Sequence, residues 1–344
     1  MALTNTQLND AIILVGDSDM GKQENRLSSY GALQAFVDEA PNLLPKSAVE
    51  SIKKSARHPE KVPVLSKFTS SLIEAPSCTI TGNRATSAFK TLTWAALGFE
   101  ATIIPSVNQD NYIAQTEDLA HQIKMGMKTV LSTLDSRCVT ALETNKSTDI
   151  AAAKNAVAGA GYYSYRKEAK NFFRDAPAVM QLNDLEGPYI DIANTESRST
   201  ILDIQTQALY NQINLAGTLG TLGNAANWAH YSSNRVDAGQ HDELHYLTPK
   251  GTIGIYNWVD MDSQIGRMAG AKKWYQVQDP IKGFNWGVFQ IDDCADQSSE
   301  LSLNTRAYTE KYQFVAYFAI VTDYASTTNT PIIKFWLDEA ASIS

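Results

Sequence analysis

The chain has 344 residues, a net charge of −8, 44% hydrophobic and 19% charged residues, and three cysteines. This is a globular composition with a sparse charged surface, and the negative balance argues against a duplex-gripping face, which needs clustered Lys and Arg. No apolar run approaches the ~18 residues of a bilayer span, and Cys78, Cys138 and Cys294 make neither a disulfide framework nor a metal-spaced pair. The start MALTNTQLND lacks a basic segment and an apolar core of the signal-peptide kind. The expectation is a soluble protein made in the cytoplasm.

Residues 1–60 hold short helical pieces separated by turn residues, with candidate helices at Ser28–Ala40 and Ser47–Ala56 ended by Pro41 and by His58-Pro59. They read as an arm laid over another surface. From Lys61 the texture becomes strand-like. Phe68–Thr81 and Phe89–Ile104 are rich in Thr, Ile, Leu and aromatics, with Gly82-Asn83-Arg84 as turn chemistry between them. Leu92, Trp94 and Ala96 alternate on one face, and Leu97, Phe99, Ala101 and Ile103 continue with the phase shifted by one. That shift predicts a bulge near Ala95-Ala96 in a long two-stranded arm.

Gln109–Glu143 follows as one amphipathic helix. Ile113, Thr116, Ala120, Ile123, Met127, Val130, Leu134, Cys138 and Ala141 recur mainly at steps of three and four, which keeps them on one stripe. Leu119, Leu131 and Leu142 widen it. Such a helix is ~50 Å long, about three times the usual length, and Gly126 weakens it by about 1 kcal/mol relative to Ala. A short Ala-rich helix at Thr148–Ala158, a second helix at Thr200–Ala216, and strand and loop from Gly217 to Ser299 come next. Ala307–Tyr324 and Pro331–Leu337 read as two closing strands.

Several motifs invite chemistry. Ala11–Val15 followed by Gly16-Asp17-Ser18-Asp19-Met20-Gly21-Lys22-Gln23 has the shape of a phosphate-binding loop. Gln23 stands where a Ser or Thr should reach Mg²⁺, and Asp17 and Asp19 place negative charge where amides should cradle phosphate. His241 and His245 stand four apart and could hold zinc on a helix, but their Gly- and Pro-rich surroundings favour loop or strand and no third ligand follows. Asp260, Asp262, Asp292 and Asp293 read as solvated loop acids, and Ser18, Ser164 and Ser232 lack a nucleophile-elbow setting. Arg166, Lys167 and Lys170, beside Tyr162, Tyr163, Tyr165, Phe172 and Phe173, carry the mix of a single-strand binder, with an interface or a solvated helix as the plainer reading. No catalytic residue, cofactor site or metal site is assigned.

Taken together, the element order resembles the major capsid proteins of tailed bacteriophages, which have the HK97-like fold. The stretches that bring it to mind are Ile103–Asn108 running into Asn111-Tyr112-Ile113 and the long helix, and Leu185–Asp191 at the entry to the central domain. The resemblance implies an α+β fold in five parts. Residues 1–60 are an N-terminal arm and 61–107 an extended β-hairpin loop. Residues 108–179 form a peripheral domain built on the long spine helix, 180–303 an axial domain, and 304–344 the return strands of the peripheral domain. It implies a non-enzymatic protein without cofactors that forms hexamers and pentamers of an icosahedral head around double-stranded DNA. Separate scaffolding, portal and decoration proteins are the implied partners, with no membrane contact and with assembly in the host cytoplasm before residence in the virion. The arm starts almost at Met1, so scaffolding is expected from another protein or not at all. Glu74, Arg84, Lys90 and Trp94 are the candidate intersubunit contacts. An encapsulin-like nanocompartment shell, or a nucleotide-binding enzyme using Gly16–Gln23, is the alternative.

Overall fold

The computed structural model describes residues 5–17, 30–43, 61–65, 87–104, 115–151, 157–159, 161–166, 172–201, 228–237, 239, 241–259, 268–269, 272–278, 284–296, 306–322 and 330–338. Their architecture is α+β. The helices α1 (Asn5–Asp17), α2 (Gly31–Leu43), α3 (Gln115–Thr144) and α4 (Phe172–Leu182) accompany two six-stranded sheets and a separate two-stranded ribbon.

The first sheet is organised by β13 (Arg306–Thr322), a 17-residue strand about 55 Å long at the usual rise. Along one edge it pairs antiparallel with β3 (Trp94–Ile103). Along the other it pairs first with β12 (Asn285–Asp296) and then, beyond the end of β12, with β9 (Ile253–Trp258). β11 (Lys272–Gln278) and the short β10 (Met268–Ala269) extend the sheet past β12. The 30 residues of α3, about 45 Å of helix, lie against β3 and β13. The stripe read from the sequence is the one that is buried, from Ile123, Met127 and Val130 to Leu134, Cys138 and Leu142, widened by Leu119 and Leu131.

Gly126 has a packing reason. A Cβ built there meets the Phe99 ring at 2.2 Å, so the glycine is the recess that lets this ring sit against the helix. Phe99 in turn stacks on Phe314, with centroids 4.6 Å apart and planes 8° from parallel, and meets Trp286 edge-on. Leu97, Phe99, Ala101 and Ile103 share the helix-facing side, while Ala96, Gly98, Glu100 and Thr102 are exposed. The expected bulge at Ala95-Ala96 is absent. Pairing with β13 is unbroken from Trp94 to Ile103, and the strand is interrupted earlier, at Leu92-Thr93. Leu92 is buried beside Ala40, Tyr256, Ala319 and Val321, and that local anchor replaces the bulge as the cause of the phase change.

The second sheet runs β4 (Val157–Gly159), β5 (Tyr162–Arg166), β14 (Ile333–Asp338), β8 (Glu243–Pro249), β6 (Tyr189–Asn194), β7 (Trp228–Ser233). β5 is parallel to β14 and β6 to β7, the other contacts being antiparallel. Both faces of its central strands are covered, and β6 is buried at every position. α4, with Phe172, Ala176, Val179 and Met180, belongs to the same apolar cluster as Tyr163, Tyr165, Phe335 and Leu337. Ile190, Ile192, Leu244 and Tyr246 join the larger core that holds α3.

The strand partners differ from the order read in the sequence. β13 and β14, expected together as return strands, part company. β13 enters the sheet under the long helix, and β14 lies inside the second sheet between β5 and β8. β10, β11 and β12, expected in the axial part, pair into the first sheet. Short apolar strands carry little partner information beyond backbone hydrogen bonding, and the expected grouping came from the resemblance.

One hairpin joins the sheets. β8 ends in the second, β9 begins in the first, and Gly251 (φ +78°) makes the corner between them. Glu39 of α2, 4% exposed, accepts the Gly251 N–H at 2.9 Å, so the N-terminal helix pins that corner.

Candidate functional site

Three features stand out as more than packing. The first is the ribbon. β1 (Lys61–Leu65) pairs antiparallel with β2 (Ser87–Thr91), Val62 opposite Lys90 and Pro63 opposite Phe89, as a two-stranded sheet of its own. Among the described elements it makes no substantial contact with a third. A lone two-stranded ribbon is marginal in water. The chain leaves β2 through Leu92-Thr93 and becomes β3, so the ribbon is a direct continuation of the first sheet's outer strand.

That outer strand has a specific device at one end. The Gln122 side chain, reaching from α3, accepts the Thr102 N–H and donates to the Thr102 carbonyl, both at 2.8 Å. Its amide thereby occupies the place that a neighbouring strand would take.

The second feature is a buried polar cluster in the second sheet. Asp191 on β6 is fully buried and receives three nitrogen contacts, from His230 Nδ1 on β7 at 2.9 Å and from His245 Nδ1 on β8 at 3.0 Å to each oxygen. Nε2 of the same His245 points to Glu243 at 3.4 Å, and Thr200 donates to the other oxygen of Glu243. Burial by itself pushes the Asp191 carboxyl up, but the two imidazoles outweigh it and hold the group well below its ordinary range. Burial likewise pushes His245 down, and the Asp191 and Glu243 carboxylates overcome it to raise the imidazole to about 9. His245 is therefore an imidazolium donating from both nitrogens. Phe172 and Phe173 close over the ring. With both nitrogens taken and no exposure, this histidine holds strands together and cannot meet a substrate.

The third feature is Asp135, 0% exposed on α3. Its carboxylate accepts the Leu33 N–H at 2.8 Å at the start of α2 and the Ser233 hydroxyl at the end of β7, with the Arg235 guanidinium 3.8 Å away. One carboxylate thus caps α2 from a distance and ties it to the long helix and to β7 of the second sheet. Gly31 makes the approach possible, since a Cβ there meets the Ser232 carbonyl oxygen at 2.2 Å.

The chemistry-bearing motifs resolve differently. Ala11–Val15 is helix, where a phosphate loop needs a strand, because Leu8, Ala11 and Val15 form the buried stripe of α1 and Ile12 packs beside them. Gly16 and Asp17 close that helix, and residues 18–23 lie outside the described residues. His241 and His245 do not converge. His241 contacts Asp338 at 2.7 Å and stacks on Trp336, while His245 turns inward to Asp191. Among the described residues no group of three His, Cys, Asp or Glu is placed to hold a metal, and no helix is long and apolar enough to cross a membrane. The Tyr163, Tyr165 and Phe172 rings, read as a stacking platform, are buried in the core of the second sheet. Asp292 lies within β12, opposite Glu310.

Of the candidate intersubunit residues, Glu74 and Arg84 lie outside the described residues. Lys90 is on the ribbon opposite Val62. Trp94 starts β3 opposite Ala319 and packs partly buried beside the Leu92 anchor. The polar cluster and the Asp135 hub were not read from the sequence. The single signal for the cluster was an Asp in the otherwise apolar run Tyr189-Ile190-Asp191-Ile192-Ala193.

No family model matches the chain, and no curated protein matches it. Among solved structures it is similar to a chain from Mycobacterium phage Che8, at 10% identity over 86% of this chain and 89% of that one, with a TM-score of 0.44. It is similar also to the capsid structure of Cyanophage P-SCSP1u, at 10% identity over 81% and 82% of the two chains and a TM-score of 0.43. A third similarity is to the Cyanophage Pam1 capsid asymmetric unit, at 11% identity over 83% and 86% and a TM-score of 0.44. Similarity of this degree does not by itself assign a family or a function.

Proposed function

We propose that this chain is the major capsid protein of a tailed bacteriophage with an HK97-like fold. Copies assemble as hexamers and pentamers into an icosahedral head that encloses double-stranded DNA. The observation that carries the reading is the β1–β2 ribbon, which forms a sheet of its own among the described strands yet is continuous with the edge strand beside a 30-residue helix. A ribbon of this kind is a liability in a monomer and an asset where copies abut. The order of elements supports the same reading, from the N-terminal helices through the ribbon and the long helix to a late strand that returns beside β3.

Residues 1–60 serve as the arm and the segment from Lys61 up to the start of β3 as the extended loop, with Lys90 on it and Trp94 at its base as intersubunit contacts. Scaffolding, portal and decoration proteins are separate partners, the DNA is enclosed without sequence-specific contact, and the virion is the site of action. Negative charge suits a wall that must not hold its contents.

Sedimentation velocity of the purified chain, alone and with proteins encoded beside it, tests the proposal. Particles of many copies in a closed size class support it. A monomer under all of these conditions overturns it.

A further inference from the structure

The chain treats its exposed strand edges unequally. On β1, Pro63 stands opposite Phe89 and has no N–H, so this pair is not one that exchanges both hydrogen bonds with β2. The bonded pairs are Val62 with Lys90 and Val64 with Ala88, and Pro63 therefore faces the ribbon's open side. A proline turned outward from an edge strand blocks strand addition. On β3, the Thr102 backbone faces away from β13 and is closed by Gln122. Alternation then puts the N–H and C=O of Glu100, Gly98 and Ala96 on the same outer side, with no described strand beyond them.

On β3, before the guarded end at Thr102, lies an unguarded stretch. From Ala95 to Phe99 there is no Pro, no charge and no break in pairing. Ala96 and Gly98 are exposed, and for Gly98 this exposure is backbone itself. The small side chains leave room for an incoming strand to approach. Long outer strands are ordinarily blunted along their length, and here the blunting stops where the window begins.

We infer that the outer edge of β3 from Ala96 to Gly98 receives a strand from a second copy of this chain, by antiparallel or parallel backbone pairing. This rests on the shell reading above, which supplies the occupant. Backbone pairing needs no complementary side-chain code, and the window continues a ribbon that no further described strand joins. Gln122 sets the register by ending the open edge at Thr102.

The test uses two substitutions and one measurement on the unaltered chain. Ala96→Lys adds a guarding charge, and Ala96→Pro removes one outward N–H while sparing the bonds to β13. Each leaves the far-ultraviolet spectrum and melting of the free chain near wild type. Each raises the concentration needed for assembly by roughly tenfold, the scale of one or two lost hydrogen bonds. Ala95→Pro is the contrast, since it removes a bond to β13 and destabilises the free chain. In the unaltered chain, the Ala96 and Gly98 amides exchange freely when monomeric and about a hundredfold more slowly in assembled particles.

Wild-type assembly by both Ala96 variants, or free exchange of these amides inside particles, overturns the inference and leaves the shell reading standing. Protection already present in the monomer also overturns it, by assigning the edge to the chain's own residues. A wild-type chain that never assembles removes the shell reading and this inference together.

Discussion

The sheet beneath the long helix is filled with rings and methyl groups, whereas the second sheet encloses a charged cluster at its centre. In the first, Phe99, Trp286, Phe314 and Phe318 interlock against α3, and the tightest requirement is steric, at Gly126. In the second, Asp191, His230, Glu243 and His245 bind three adjacent strands through hydrogen bonds, and His245 can bond both Asp191 and Glu243 only while its ring carries both protons. Apolar packing tolerates changes of pH and gives graded losses when altered. A buried ionic cluster fails abruptly when one member is removed, because the others are left charged and unpaired. The two halves of one chain should therefore break under different stresses.

The largest effect belongs to the charged sheet. Asp191→Ala leaves the His245 imidazolium facing apolar rings and should cost about 3–5 kcal/mol, read by urea unfolding. A loss no larger than that of an exposed substitution would show that the cluster is not ionised. Proton linkage sharpens the same contrast. His245 titrates at about 9 in the folded chain against 6.5 ordinarily, so its contribution is complete below pH 6.5 and lost as pH rises through 9. Asp191 is held low, so its contribution is present above its ordinary value of 3.8 and lost on acidification. Melting temperature should fall between pH 7 and pH 10, and His245→Gln should flatten that fall.

The next effect lies in the apolar sheet. Gly126→Val drives a side chain into the Phe99 ring and should destabilise by about 1–3 kcal/mol, with no change in the alkaline slope. Stabilisation, as helix propensity alone requires, would mean that Phe99 does not occupy the recess. The smallest is Gln122→Ala, which removes two hydrogen bonds at an exposed edge for about 1 kcal/mol. It should also lengthen the open edge of β3 and promote aggregation on light scattering, which a purely structural Gln122 would not do.

The apolar half was largely legible in the sequence. A stripe at steps of three and four marks α3, and Leu97, Phe99, Ala101 and Ile103 mark β3, because each element buries one face and the periodicity records it. The helix over Ala11–Val15 was not read, because five consecutive apolar residues look like a strand, although Leu8, Ala11, Ile12 and Val15 have helical spacing. The charged half was not legible. Asp191 and His245 are 54 positions apart, on strands whose pairing no local pattern specifies. Gly126 read as a weakness because the ring that needs it comes from β3, 27 positions away by residue number. Ordinary residue types acquire these roles only through strand partners, which is also why β14 was placed with β13.

Electron microscopy of the particles formed by the purified chain tests the central claim most directly. The account predicts closed icosahedral shells built of five- and six-membered rings. Open tubes or separate rings would contradict it, as would a field of monomers.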